Sequence, residues 1–159
     1  MTRAFRQIAP PPIAPDAPRF MLMTLRLRPS CDRRLTDDVP LLRHCVAAAQ
    51  KEGGFDILAA VVLPEELRLL CRGALFERQL AGAARSVADG FARHGTAQGP
   101  VAWHPPALVV VPAHAVDAER DAVERAPVTA GLVKDAEDWP FSSVHRRRRA
   151  LPLLGASVA

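Results

Sequence analysis

Glu66 and Arg68 are the first residues to consider for chemistry, because they stand two positions apart in a short apolar run that follows Pro64. In a β-strand, residues i and i+2 point to the same face, so this carboxylate and this guanidinium are expected side by side. A carboxylate oxygen coordinates Mg²⁺ well, whereas a guanidinium has no acceptor to offer a cation. We therefore predict a Glu66–Arg68 ion pair. The alternative is a metal site rebuilt around Glu66, which needs further ligands that the sequence does not reveal.

Side chains for nucleophilic chemistry are scarce. The 159 residues include no tyrosine, which excludes a phosphotyrosine intermediate formed by this chain. Ser142 and Ser143 lie near His145, but no nucleophile elbow accompanies them, so we interpret both serines as turn or capping residues. The histidines lack the i, i+2 or i, i+4 spacing of a metal-binding pair: His44, His94, His104, His114 and His145.

Arginine supplies nearly all of the positive charge. The formal net charge is +4, and only Lys51 and Lys134 of the 21 basic residues are lysines. Arginine favours bidentate phosphate contacts, but a GC-rich genome also raises arginine content, so position matters more than number. The candidates for DNA binding are one strand residue, a helical stripe and a C-terminal run: Arg68, Arg78, Arg85, Arg93, Arg146, Arg147, Arg148 and Arg149. A solvated surface is the alternative for the stripe and the run.

Length and composition predict one domain in a reducing compartment. A chain that is 49% hydrophobic and of this length can bury a single core. The three cysteines, Cys31, Cys45 and Cys71, show no zinc or redox spacing. The N-terminal segment is rich in proline and has no apolar h-region. We expect a cytoplasmic protein without a membrane partner, with a Pro-rich leader over residues 1–18, a domain over 19–145 and a basic tail over 146–159.

Hydrophobic periodicity predicts the elements that position these residues. Strands are expected over residues 19–28, 55–63, 67–72 and 108–111, and helices over 38–51, 76–91 and 117–126, the last stopped by Pro127. Residues 95–106 are expected to form a loop. The order strand, helix, strand, strand, helix, strand is that of a ferredoxin-like α+β sandwich, an antiparallel four-stranded sheet with helices packed on one face.

Three further segments carry a family resemblance. They are Phe55-Asp56-Ile57 leading to Val61-Val62-Leu63-Pro64, then Pro127-Val128-Thr129-Ala130-Gly131-Leu132-Val133, and last Asp138-Trp139-Pro140-Phe141-Ser142-Ser143. In this order they resemble the REP-associated tyrosine transposases, small single-strand DNA transposases of the HUH class. The last two segments are the specific part, since apolar strands match many folds. The resemblance spans roughly residues 19 to 145.

That resemblance implies a catalytic layout whose key residues this chain lacks. In the family, two histidines on the hairpin strand hold a Mg or Mn ion, and a tyrosine on the final helix attacks the DNA phosphorus. The matching positions here are Glu66 and Arg68 for the histidines, Ala122 for the tyrosine, and Ala126 for a polar amide on the same helix. Glu124 stands at a position that is commonly histidine. The resemblance therefore implies no catalytic residue, no metal and no cofactor in this chain, and a protein that is not an enzyme.

Two functions from different classes follow from these observations. The first is a transposase-like DNA-binding protein that has lost single-strand DNA cleavage and joining, and binds single-stranded or hairpin DNA. In that hypothesis the protein uses a scaffold groove together with Arg68, the helical stripe and the basic tail. The alternative is a protein-interaction module, or a non-functional remnant of a transposase, with no specific DNA binding. The sequence leaves the oligomeric state open.

Overall fold

The fold consists of four strands and three helices within the described residues. The computed structural model describes residues 17–74, 77–94 and 101–146. Its strands are β1 (Arg19–Arg26), β2 (Asp56–Val62), β3 (Glu66–Gly73) and β4 (Ala107–Val111). Its helices are α1 (Val39–Gly53), α2 (Glu77–His94) and α3 (Val116–Thr129). One-turn 3₁₀ helices occupy Leu35–Asp38, Ala113–Ala115 and Ala136–Asp138.

The strands form one antiparallel sheet in the order β2-β3-β1-β4, which confirms the predicted fold class. Strand β4 lies at an edge, as predicted. Several parts of the prediction lie outside the described residues: the leader up to residue 16, Phe76, residues 95–100 and Arg147–Arg149. In the part that the structure describes, no helix is both long enough and apolar enough to cross a membrane.

The two faces of the sheet pack against different helices. On one face, alternate residues of β1 and β3 share a buried cluster with α1 and α2: Met21, Met23, Leu25, Leu67, Leu69 and Cys71. On the other face, the intervening residues Leu22 and Leu70 share a second cluster with Val123 and Ala126 of α3. Helices α1 and α2 therefore cover one face, as predicted, and α3 covers part of the opposite face. The central strands are therefore apolar on the α1–α2 face, and on the α3 face only at Phe20, Leu22 and Leu70.

Helix α1 has clear start and stop signals. The Asp38 side chain accepts a hydrogen bond from the Leu41 N–H at 3.2 Å, and Pro40 stands in the first turn. Gly54 ends the helix with a left-handed φ of 65°, which glycine adopts without strain, and its N–H bonds to the Gln50 carbonyl. These local signals explain why the predicted bounds of this helix are close to the observed ones.

Helix α3 continues past Pro127, so the prediction that it stops at Ala126 is wrong. Pro127 is buried in the last turn, where its missing N–H removes a single intrahelical bond. The helix ends at Thr129. The Ala130 N–H bonds back to the Ala126 carbonyl at 2.9 Å, and Gly131 then takes a positive φ of 74°. The Pro-Val-x-Ala-Gly motif is thus the C-terminal end of this helix.

The segment after α3 closes the β2 edge of the sheet. The Trp139 Nε1–H donates to the Val62 carbonyl at 2.9 Å, and the Val62 N–H donates to the Phe141 carbonyl at 2.9 Å. The Ser143 N–H donates to the Ala60 carbonyl at 2.8 Å. Trp139 also packs on the second cluster, and its ring meets Phe141 edge-on. The Trp-Pro-Phe-Ser-Ser motif therefore protects an edge strand that otherwise offers unpaired backbone groups.

Candidate functional site

Strands β1 and β3 bring three charged side chains together on the face that α3 partly covers. Glu66 is the first residue of β3, and the register places it opposite Arg26, while Arg68 stands opposite Thr24. The Arg68 Nε–H donates to Glu66 Oε1 at 2.5 Å, and Arg26 Nη2 donates to Glu66 Oε2 at 3.1 Å. Glu66 thus bridges two guanidinium groups, one from each strand. We call Arg26, Glu66 and Arg68 the cationic site.

The predicted Glu66–Arg68 ion pair is confirmed, and Arg26 is a partner that sequence analysis missed. One signal for Arg26 was available, because strand alternation places Thr24 and Arg26 on the face opposite Met23. The residue that Arg26 meets across the sheet depends on the β1–β3 register, and a single strand pattern does not specify that register.

Electrostatics keep the Glu66 carboxylate ionised. Burial on its own raises the pKa of Glu66, but the hydrogen bonds and charges of Arg68, and then of Arg26, outweigh it and lower the pKa below the ordinary 4.5. The Glu66 side chain is 11% exposed, whereas those of Arg68 and Arg26 are 33% and 57% exposed. Two positive charges therefore reach toward solvent around one buried negative charge, and the site is net cationic.

The cationic site does not suit a divalent metal ion. Each Glu66 oxygen already accepts a charged hydrogen bond, and an incoming cation would face two guanidinium groups. Among residues 17–74, 77–94 and 101–146, no three His, Cys, Asp or Glu side chains stand close enough together to hold a metal. A metal site rebuilt around Glu66 thus finds no further ligands in that part of the chain.

A groove of about 430 Å³ opens beside the two arginines. Its other lining residues are Leu22, Thr24, His104, Pro105 and Ala107. The His104 N–H donates to the Arg26 carbonyl at 2.8 Å, which fixes the segment before β4 against β1. The charged groups of this groove are two guanidiniums and the carboxylate that binds them, so an anion is the ligand class that it favours.

The helical stripe of Arg78, Arg85 and Arg93 lies elsewhere. Helix α2 packs with its buried residues on the sheet face opposite the cationic site, and these three arginines are exposed on its outer side. The sheet therefore lies between Arg68 and the stripe, and DNA binding by these three arginines stays a prediction.

The α3 positions that the resemblance assigns to the nucleophile and its neighbours differ in burial. Ala122 is exposed, whereas Ala126 is buried in the second cluster. Glu124 is buried, and its Oε1 accepts a hydrogen bond from the Ser143 hydroxyl at 3.2 Å. The Ser143 oxygen in turn accepts from the Ala60 N–H at 3.0 Å. Glu124 and Ser143 thus tie α3 and the C-terminal segment to β2, which is a structural role.

Two other polar candidates also have structural roles. The Ser142 hydroxyl accepts from the Val144 N–H at 3.2 Å, as expected of a capping residue. The His145 Nε2 lies 2.7 Å from the Trp139 carbonyl oxygen. The predicted turn or capping interpretation of Ser142 therefore agrees with the hydrogen bonds.

Trp103 packs against the buried cluster that the sheet shares with α1 and α2. Its half-buried ring meets Phe91 edge-on, with 5.9 Å between the ring centroids. The buried Arg33 guanidinium lies 3.9 Å from the centroid of the same Phe91 ring and donates to the Phe91 carbonyl at 3.0 Å. Trp103 is thus packed on the α2 side, away from the cationic site.

Arg146 is the one residue of the predicted basic tail that the structure describes. It lies in a short helical turn, and its N–H bonds to the Ser143 carbonyl at 3.0 Å. With Arg43 and Gln50 of α1 it lines a separate groove of about 370 Å³ between α1 and β2. The rest of the basic run lies outside the described residues.

Comparison with known proteins relates the chain to transposases in both sequence and fold. It is 28% identical over 129 residues to the REP-associated tyrosine transposase of Escherichia coli (strain K12), across 77% of this chain and 74% of that protein. A solved structure of a REP-associated tyrosine transposase bound to a REP hairpin matches with a TM-score of 0.70 and 25% identity, across 83% of this chain and 80% of that chain. No protein-family model matches the chain.

A putative transposase from Deinococcus radiodurans R1 matches more loosely. Its TM-score is 0.41 at 15% identity, across 79% of this chain and 97% of that chain. The two stronger matches confirm the resemblance to REP-associated tyrosine transposases that the sequence motifs indicated.

Proposed function

We propose that this relative of the REP-associated tyrosine transposases binds single-stranded or hairpin DNA and no longer cleaves or joins it. The observation that carries the proposal concerns Glu66 and Arg68, which stand at the positions that the resemblance gives to a metal-binding histidine pair. At these positions two guanidiniums, those of Arg26 and Arg68, bind the Glu66 carboxylate. A cationic groove attracts DNA phosphates. Because both Glu66 oxygens bind guanidiniums, its residues do not suit a metal ion that would polarise a scissile phosphate, and the chain has no tyrosine to attack one.

A hairpin is the preferred form of DNA in this proposal. The similar transposase of known structure is bound to a REP hairpin, and its fold matches most of this chain. Within this chain we assign binding to residues 19–145, with the tail over 146–159 adding phosphate contacts. Binding should therefore weaken as salt concentration rises.

A cytoplasmic location belongs to the same proposal. Its support is the state of two buried cysteines, Cys45 and Cys71, which are free thiols. Burial raises the pKa of Cys71 to about 12, so this thiol is not reactive. Free thiols of this kind suit a reducing compartment.

The test of binding is fluorescence anisotropy with a labelled single-stranded DNA hairpin. A scrambled strand of the same length and unlabelled heparin serve as competitors at two salt concentrations. A deletion of residues 146–149 measures the share of the basic run. Hairpin-selective, salt-sensitive binding is expected, whereas binding that heparin and the scrambled strand displace equally well would contradict the proposal.

The test of lost cleavage uses the same hairpin with a labelled end and added Mg²⁺ or Mn²⁺. We expect neither a shortened strand nor a covalent protein–DNA band on a denaturing gel. A metal-dependent product that disappears in Glu66→Ala would show that a cleavage site had been rebuilt and would refute the proposed loss.

A protein-interaction module is the second candidate, and the β4 edge favours it. Val109 and Val110 of this edge strand are 56% and 68% exposed, and an edge strand offers backbone groups to a partner. The discriminating result is non-selective DNA binding together with self-association or partner capture that Val110→Asp abolishes.

A further inference from the structure

We propose that Arg26 and Arg68 form a phosphate clamp, which holds one backbone phosphate of the bound DNA and takes the place of the metal ion that the resemblance implies for active relatives. This inference rests on the proposed DNA-binding function and specifies one of its contacts. It requires no metal ion.

Both arginines keep hydrogen-bond donors free for a ligand. Glu66 occupies the Nε–H of Arg68 and one Nη2 hydrogen of Arg26. Within the described residues, neither guanidinium donates to any further protein acceptor. A guanidinium carries several N–H donors in a fixed planar fork, so the terminal nitrogens of Arg68 and the Nε and Nη1 of Arg26 remain available. These donors belong to side chains that line the groove.

Glu66 holds the two guanidiniums at a fixed separation. Each carboxylate oxygen binds one of them, and the antiparallel register of β1 and β3 fixes the backbone beneath both. Folding therefore already restricts part of the rotamer freedom of Arg26 and Arg68. Less side-chain entropy remains to be lost when a DNA phosphate binds them. Glu66 is a positioning residue here, because it holds the two guanidiniums and does not itself bind the phosphate. Its negative charge lowers the attraction for a phosphate but leaves the site net positive.

The positive charge of two guanidiniums lets this site bind a phosphate without a metal. A metal between two histidines presents positive charge to a DNA phosphate and also acts as a Lewis acid. Two guanidiniums present positive charge and directional N–H donors, which suit the oxygens of a phosphate. The clamp therefore keeps the phosphate-binding part of that role and loses the Lewis-acid part.

The decisive experiment neutralises DNA phosphates one at a time. A set of hairpins, each with a single methylphosphonate linkage, is titrated by anisotropy against the full-length wild-type protein, Arg26→Ala, Arg68→Ala and Arg72→Ala. Arg72 is the matched control because it lies on the same strand and face and pairs with Asp56, but does not line the groove. Circular dichroism confirms that each variant is folded.

We expect one linkage at which neutralisation weakens wild-type binding about tenfold or more, as loss of a charged hydrogen bond does. In Arg68→Ala and in Arg26→Ala that linkage should matter little, and the salt slope should fall by about 1. Arg72→Ala should keep the wild-type sensitivity. Affinity should also be equal in EDTA and in Mg²⁺ at matched ionic strength.

Two results would overturn the clamp while leaving DNA binding intact: a linkage profile that Arg26→Ala and Arg68→Ala do not change, or an affinity that requires Mg²⁺. If the wild-type protein shows no hairpin preference, the proposed function fails, and inorganic pyrophosphate then tests the clamp alone. Its titration should shift the Nε–H resonances of Arg26 and Arg68 in a saturable way, and the response should vanish in Arg68→Ala. A flat titration refutes the clamp.

Discussion

Two groups of arginines on this protein differ in how they are held more than in how many charges they carry. The stripe on α2 has three exposed arginines, Arg78, Arg85 and Arg93, which form no hydrogen bond or ion pair with other described residues. The cationic site has two, and both are bonded to a buried carboxylate on the opposite face of the sheet. The number of charges alone would make the stripe the better candidate for DNA binding. The hydrogen bonds that hold the arginines favour the cationic site instead.

The physical difference is the freedom that each arginine retains. An exposed arginine has roughly 2 kcal/mol of rotamer entropy to lose when a ligand fixes it. At the cationic site, the bonds to Glu66 have restricted Arg26 and Arg68 already. We therefore expect the two held arginines to contribute more to specific binding than the three free ones.

The largest expected effect is on DNA affinity. The double variant Arg26→Ala/Arg68→Ala should weaken hairpin binding about tenfold or more, because it removes both donors of the phosphate clamp. The double variant Arg78→Ala/Arg85→Ala removes the same charge from α2 and should weaken it only about two- to threefold, as exposed charges do. Anisotropy at one ionic strength measures both. Equal losses would mean that affinity follows total charge alone.

The next effect is on stability. Glu66→Ala leaves two guanidiniums side by side without their carboxylate, and the free energy of unfolding should fall by about 1–3 kcal/mol. Arg85→Ala should change it by no more than about 0.5 kcal/mol. Urea denaturation at neutral pH compares them. If both variants unfold at the same urea concentration, Glu66 does not organise its site.

Acid should expose the same contrast. The pKa of Glu66 is lowered in the folded protein, so the folded state binds the Glu66 proton less readily than the unfolded chain does. The stabilisation is therefore fully present above the ordinary pKa of 4.5 and is lost as pH falls through the lowered folded pKa. Denaturation of Glu66→Gln should show a shallower decline of stability over this range than wild type, while Arg85→Ala keeps the wild-type slope. Identical slopes for wild type and Glu66→Gln would contradict the ion-pair account.

The smallest effect concerns an exposed ion pair on the same strand. Arg72 and Asp56 are 3.1 Å apart, with side chains 47% and 65% exposed. Because water competes for both charges, Arg72→Ala should cost no more than about 0.5 kcal/mol. The same urea experiment tests it. A cost as large as that of Glu66→Ala would show that strand position, and not burial of the carboxylate, sets the strength of these pairs.

The sequence by itself determined the local features of this protein. The two-residue spacing of Glu66 and Arg68 puts them on one strand face, and Asp38 and Gly54 mark the ends of α1, because strand alternation and helix caps depend only on near neighbours. The absence of tyrosine is likewise a property of the chain alone. The Trp-Pro-Phe-Ser-Ser motif pointed to the right relatives, although its hydrogen bonds to β2 were not foreseen.

Only the tertiary structure decided which arginines act together. Arg26 joins Glu66 through the β1–β3 register, and the α2 stripe lies behind the sheet because α2 buries its apolar side on the opposite face. The passage of α3 through Pro127 and the pairing of Ser143 with Ala60 of β2 also depend on packing and on contacts with distant segments. These arrangements join residues far apart in the chain, and no local pattern encodes the partner that a residue meets across a sheet.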